Sequence, residues 1–64
     1  MFSEMSSTDL IKILEKAGWV LYRTKGSHHV FKHENFEGLI TVPHPRKDVP
    51  KGLFNTILKQ AGIK

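Results

Sequence analysis

Two stretches with apolar residues at helical spacing bracket a middle segment whose apolar residues are bunched, β-branched and aromatic. Leu10, Ile11, Leu14 and Ala17 fall on one side of a helix, with Ile13 widening the stripe and Lys12, Glu15 and Lys16 on the other side. Near the far end, Leu53, Phe54, Ile57, Leu58 and Ala61 repeat that pattern. Between them, Trp19 to Thr24, Ser27 to His33 and Leu39 to Val42 read as strands. The order helix, three strands, helix restricts the fold to a small α+β sandwich. A three-stranded antiparallel sheet must cover one face, and two amphipathic helices supply the cover.

The punctuation agrees with this order. Ser6-Ser7-Thr8-Asp9 opens the first helix: a hydroxyl caps free amides, and Asp9 sits at the positive end of the helix dipole. Gly18 closes that helix as a C-terminal cap. Lys25-Gly26 marks a turn, which joins the first two strands as a hairpin, and Pro43 stops the third. Asp48 is expected to cap the last helix, with Pro50 in its first turn. Gly62 ends that helix, and Ile63 folds back onto its last turn.

With 64 residues the chain is a single domain spanning 1–64, in which residues 1–5 read as a loose extension. A chain of this size buries only roughly 60% of its unfolded surface, so its core is small. It contains no cysteine, which removes disulfides, thiolate metal sites and thiol nucleophiles and fits a reducing, cytoplasmic setting. The longest apolar run, Trp19-Val20-Leu21-Tyr22, is far too short to span a membrane, and no secretory leader is expected. Ten Lys or Arg stand against six Asp or Glu, with a pI near 9.7. That balance favours an anionic partner, nucleic acid above all, although a mildly basic surface also serves solubility.

The four histidines are the candidate chemistry. Histidine exchanges a proton near neutral pH, and His28 and His29 directly follow the flexible Gly26-Ser27 turn. His29 and His33 have a helical chelate spacing, but four residues of strand span roughly 13 Å, too far to share one metal. No metal or other cofactor is therefore expected. His28 and His29 point to opposite faces of their strand, one toward the helices and one toward the open surface, and apolarity alone does not say which is which. Arg23 and Lys25 flank the turn, His44, Arg46 and Lys47 form a basic knuckle, and Lys51 and Gly52 open the last helix. Each is equipped for phosphate or is simply a solvated charge. Trp19, Phe31 and Phe54 have core spacing, which outweighs a base-stacking role in so small a domain.

These fragments together resemble one family. Ala17-Gly18-Trp19, Lys25-Gly26-Ser27-His28-His29, Phe31-Lys32-His33, Val42-Pro43-His44-Pro45 and Ile57 to Ile63 occur in the order found in HicA toxins, also called YcfA-like proteins, of bacterial type II toxin–antitoxin pairs. The resemblance runs from Ser6 to Lys64. It implies an α-β-β-β-α fold like a double-stranded RNA-binding domain, with both helices on one face of the sheet. It implies an mRNA interferase, an endoribonuclease that cleaves mRNA and arrests growth, and a HicB antitoxin that covers its active site. The family's catalytic histidine falls on His28 and its motif glycine on Gly26.

Metal-independent RNA cleavage needs a base for the ribose 2′-OH, an acid for the leaving 5′ oxygen and positive charge around phosphorus. On this reading His28 transfers protons. RNA contacts fall to Arg23, Lys25, Gly26, Ser27, His29, Lys47 and Lys51. Two alternatives remain at this point: a non-catalytic double-stranded RNA binder, and a module whose only partner is the antitoxin. The first would bind with a steep salt dependence, cut nothing and not need its histidines.

Overall fold

Ser6 starts the first helix by a reciprocal cap. Its hydroxyl accepts the Asp9 N–H at 3.1 Å, and the Asp9 carboxylate accepts the Ser6 N–H at 3.4 Å. A computed structural model describes residues 5–63 of the chain. Its elements are α1 (Ser7–Lys16), β1 (Val20–Lys25), β2 (His28–Lys32), β3 (Ile40–Pro43) and α2 (Lys51–Gln60). The sheet is antiparallel in the order β1-β2-β3. The expected α-β-β-β-α order and antiparallel sheet are both observed, with strand ends shifted by a residue or so from those read in the sequence.

Both helices end in the same motif. After α1, the Trp19 N–H reaches the Leu14 carbonyl and the Gly18 N–H that of Glu15, both at 3.0 Å, with Gly18 at φ +100°. After α2, Ile63 bonds Leu58 and Gly62 bonds Lys59, with Gly62 at φ +74°. The paired 6→1 and 5→2 bonds define Schellman caps, and the left-handed residue in each favours glycine.

The helices cover one face of the sheet. Phe31, Ile40 and Val42 point into the core from the strands, where Leu10 and Leu14 of α1 and Phe54, Ile57 and Leu58 of α2 meet them. Trp19 is buried in the same cluster, and its indole N–H points at the Ala61 carbonyl 3.4 Å away. Trp19, Phe31 and Phe54 are thus core residues. The helices pack mainly against β3, and every residue of β1 is exposed.

Two sequence expectations change. Asp48 does not cap α2: Pro50 is the N-cap, with no side-chain cap bond. Val49 instead bridges Met5, its N–H donating to the Met5 carbonyl at 2.8 Å, and a residue before proline favours extended backbone. That keeps the chain extended up to Pro50, which takes the cap position in place of Asp48. The same bridge pins Met5, which packs against the core rather than trailing as part of a loose extension. Residues 1–4 lie outside the described residues. Among the described residues, no helix is long and apolar enough to cross a membrane.

Candidate active site

The β1–β2 turn is two residues long, Gly26-Ser27, with Gly26 at φ +57°. Positive φ at the first loop position alone suits glycine and a tight hairpin. The turn fixes the register that places His28 opposite Lys25 and His29 opposite Thr24. Side chains alternate, so His28, Val30 and Lys32 lie on the open face of the sheet and His29 and Phe31 on the helix face. The choice between the two histidines that apolarity left open is thereby made by Phe31.

The four histidines have four different settings. His28 is exposed, and its ring makes no hydrogen bond among the described residues. His29 is half-buried with its ring edge against His44, centroids 4.7 Å apart at 80°, and its Nδ1 is buried with no hydrogen-bond partner among the described residues. His33 is a structural clasp: its Nε2–H donates to the Ala17 carbonyl at 3.2 Å, and its Nδ1 accepts the Asn35 N–H at 3.0 Å. It also packs edge-on against Trp19 and Phe36. His44, read from sequence as part of an outward basic knuckle, turns inward, with its Nδ1 2.6 Å from the Ser7 hydroxyl. Its knuckle partner Arg46 directs Nε–H at the Asp48 carbonyl. No group of three or more His, Asp or Glu positioned to hold a metal ion occurs among the described residues.

A shallow hollow on the open face is lined by Arg23, Lys25, His28, Val30, Leu39 and Thr41. It unites a free imidazole with two cations, with Gly26 and Ser27 as the adjoining turn. The other candidate RNA contacts lie elsewhere. His29 faces the helix layer, Lys51 is the first residue of α2, and Lys47 belongs to the loop before it. That loop is nonetheless tied to the turn, because the His44 N–H donates to the Ser27 carbonyl at 2.8 Å.

Comparison with known proteins fits this architecture. The sequence model for the HicA toxin of bacterial toxin–antitoxin systems matches residues 7–63. The chain belongs to the HicA toxin family. Among solved structures, this HicA chain is similar to one in a HicA3 and HicB3 toxin–antitoxin complex, with 44% identity and a TM-score of 0.83, covering 94% of this chain and 97% of that one. It is also similar to a chain of a toxin–antitoxin complex from Streptococcus pneumoniae, at 30% identity and a TM-score of 0.76, covering 91% and 97%. No curated protein matches the sequence.

Sequence reasoning missed two features of this HicA site. The inward turn of His44 depends on Ser7, which in sequence reads only as part of a cap. The register shift between Leu21 and Arg23 in β1, next to the hollow, is the other, and residue alternation cannot foresee it.

Proposed function

We propose that this HicA protein is the toxin of a HicAB pair and a metal-independent endoribonuclease that cuts mRNA in the cytoplasm, with His28 as its proton-transfer group and a HicB antitoxin as its neutralising partner. One observation carries this reading: the exposed His28 ring shares a hollow with Arg23 and Lys25. The family membership and the toxin–antitoxin assemblies of its structural neighbours support the partner.

The chemistry is a transesterification. His28 takes the ribose 2′-OH proton, and the 2′ oxygen attacks the adjacent phosphorus. The bond to the 5′ oxygen breaks, that oxygen takes a proton from the His28 imidazolium or from water, and a 2′,3′-cyclic phosphate remains. Arg23 and Lys25 offset charge developing on the phosphorane, and the N–H groups of the Gly26-Ser27 turn are suited to a phosphate oxygen. Residues 1–64 act as one unit in this reading.

The test is to incubate RNA with purified protein in EDTA, beside the same oligonucleotide carrying 2′-deoxyribose. Cleavage of RNA alone, leaving cyclic phosphate ends, supports the proposal. Loss of cleavage in EDTA overturns the metal-independent chemistry. Salt-sensitive binding with no cleavage identifies a non-catalytic binder.

A further inference from the structure

Strand β1 carries a bulge. Leu21 pairs with Phe31 and Arg23 with Val30, so Tyr22 is an extra residue with no partner across the strand. Leu21 shares the helix-side face with Phe31, and alternation sends Tyr22 to the open face. The inserted residue then keeps Arg23 on that same face, opposite Val30. Without the bulge, Tyr22 and Arg23 would point to opposite sides; re-aiming side chains beside active sites is a known use of bulges.

The consequence is an aromatic platform beside the hollow that holds His28. Tyr22 is 52% exposed, and the Lys32 ammonium stands 5.2 Å from its ring centroid. A second hollow next to it includes Tyr22, Lys32, Leu39, Glu34 and Glu37. Leu39 lines both hollows, so the two adjoin at that residue. His28 lies opposite Lys25, three positions along β1 from Tyr22, or roughly 10 Å of strand.

We propose that Tyr22 stacks an unpaired nucleobase of the RNA whose scissile phosphate lies at His28, so that the site selects single-stranded RNA. This rests on the ribonuclease reading given above. Arg23 and Lys25 draw the sugar–phosphate backbone to the His28 end. At the Tyr22 end, Glu34 and Glu37 accept hydrogen bonds from base amino groups. A paired base in an A-form helix keeps both its faces stacked and has none to offer an exposed ring, whereas a single strand has.

The test measures fluorescence anisotropy of a labelled single-stranded RNA, the same RNA with abasic positions, and its duplex, all on protein carrying His28→Ala to prevent cleavage. Adding Tyr22→Ala is expected to weaken single-strand binding about tenfold, while Tyr22→Phe, which keeps the stacking face, stays within about twofold. The abasic RNA and the duplex are expected to bind more weakly than the intact strand and to lose little more with Tyr22→Ala. Because Tyr22 is exposed, its variants should retain the parent melting temperature. Unchanged RNA affinity in Tyr22→Ala overturns the proposal, and if that variant instead loses antitoxin binding, the platform is a protein contact. Abasic RNA binding as tightly as the intact strand overturns it too. Absence of cleavage by the unmodified protein would count against the ribonuclease reading while leaving this binding comparison readable.

Discussion

Ser7 Oγ and His44 Nδ1 stand 2.6 Å apart, joining positions 37 residues apart in the chain. The Ser7 hydroxyl also accepts the Arg46 N–H at 2.8 Å, so one buried oxygen joins both residues of the loop. The Ser7 N–H in turn donates to the Arg46 carbonyl at 2.8 Å. The first turn of α1 is thus stapled to the loop after β3, and that loop holds the Ser27 carbonyl beside His28.

Ser7→Ala removes the hydroxyl from a position only 1% exposed and strands both the Arg46 N–H and the His44 ring nitrogen. The expected cost is about 1–3 kcal/mol. Urea unfolding should show the midpoint falling with its slope unchanged. A midpoint equal to that of the unmodified protein would mean the staple adds nothing to stability.

Gly18 and Gly26 both have positive φ but differ in their surroundings. A Cβ on Gly18 would meet His33 Nε2 at 2.8 Å, whereas one on Gly26 meets nothing within 4 Å. Gly18→Ala therefore combines the strain of a left-handed backbone at φ +100° with disruption of the His33 clasp and should cost about 2–3 kcal/mol. Gly26→Ala should cost about 1 kcal/mol. If the Gly26-Ser27 backbone holds phosphate, Gly26→Ala should lose far more cleavage than stability. Activity that follows only the melting temperature would speak against a phosphate contact there.

Much of this architecture is legible in the sequence because local signals and burial agree. The Ser6–Asp9 cap, Gly18, Gly26 and Gly62 each perform the backbone task their residue type suggests. Asp48 misleads because its capping preference is local, while the Met5–Val49 bridge that displaces it comes from the opposite end of the chain. The site divides in the same way. Adjacent positions in a strand separate His28 from His29, but which faces outward follows from the register with β3 and the packing of Phe31. Tyr22 was illegible because a one-residue bulge reverses alternation without any residue-type signature.

Arg23 and Lys25 line the His28 hollow, whereas Lys47 and Lys51 do not. Arg23→Gln and Lys25→Gln are each expected to weaken single-stranded RNA binding and to reduce the slope of log affinity against log salt by about 0.7. Lys47→Gln and Lys51→Gln should change that slope less. Titrations at several salt concentrations measure it, and equal slopes for all four variants would show that the charge acts diffusely.

The most direct measurement is the rate of RNA cleavage by the unmodified protein, by His28→Ala and by His29→Ala, each purified and checked for folding. His28 is exposed, so its removal should leave the fold intact while cleavage falls at least about a hundredfold. His29→Ala should retain most of its cleavage, apart from what it loses through stability. Undiminished cleavage by a folded His28→Ala protein would contradict the assignment of His28 as the proton-transfer group.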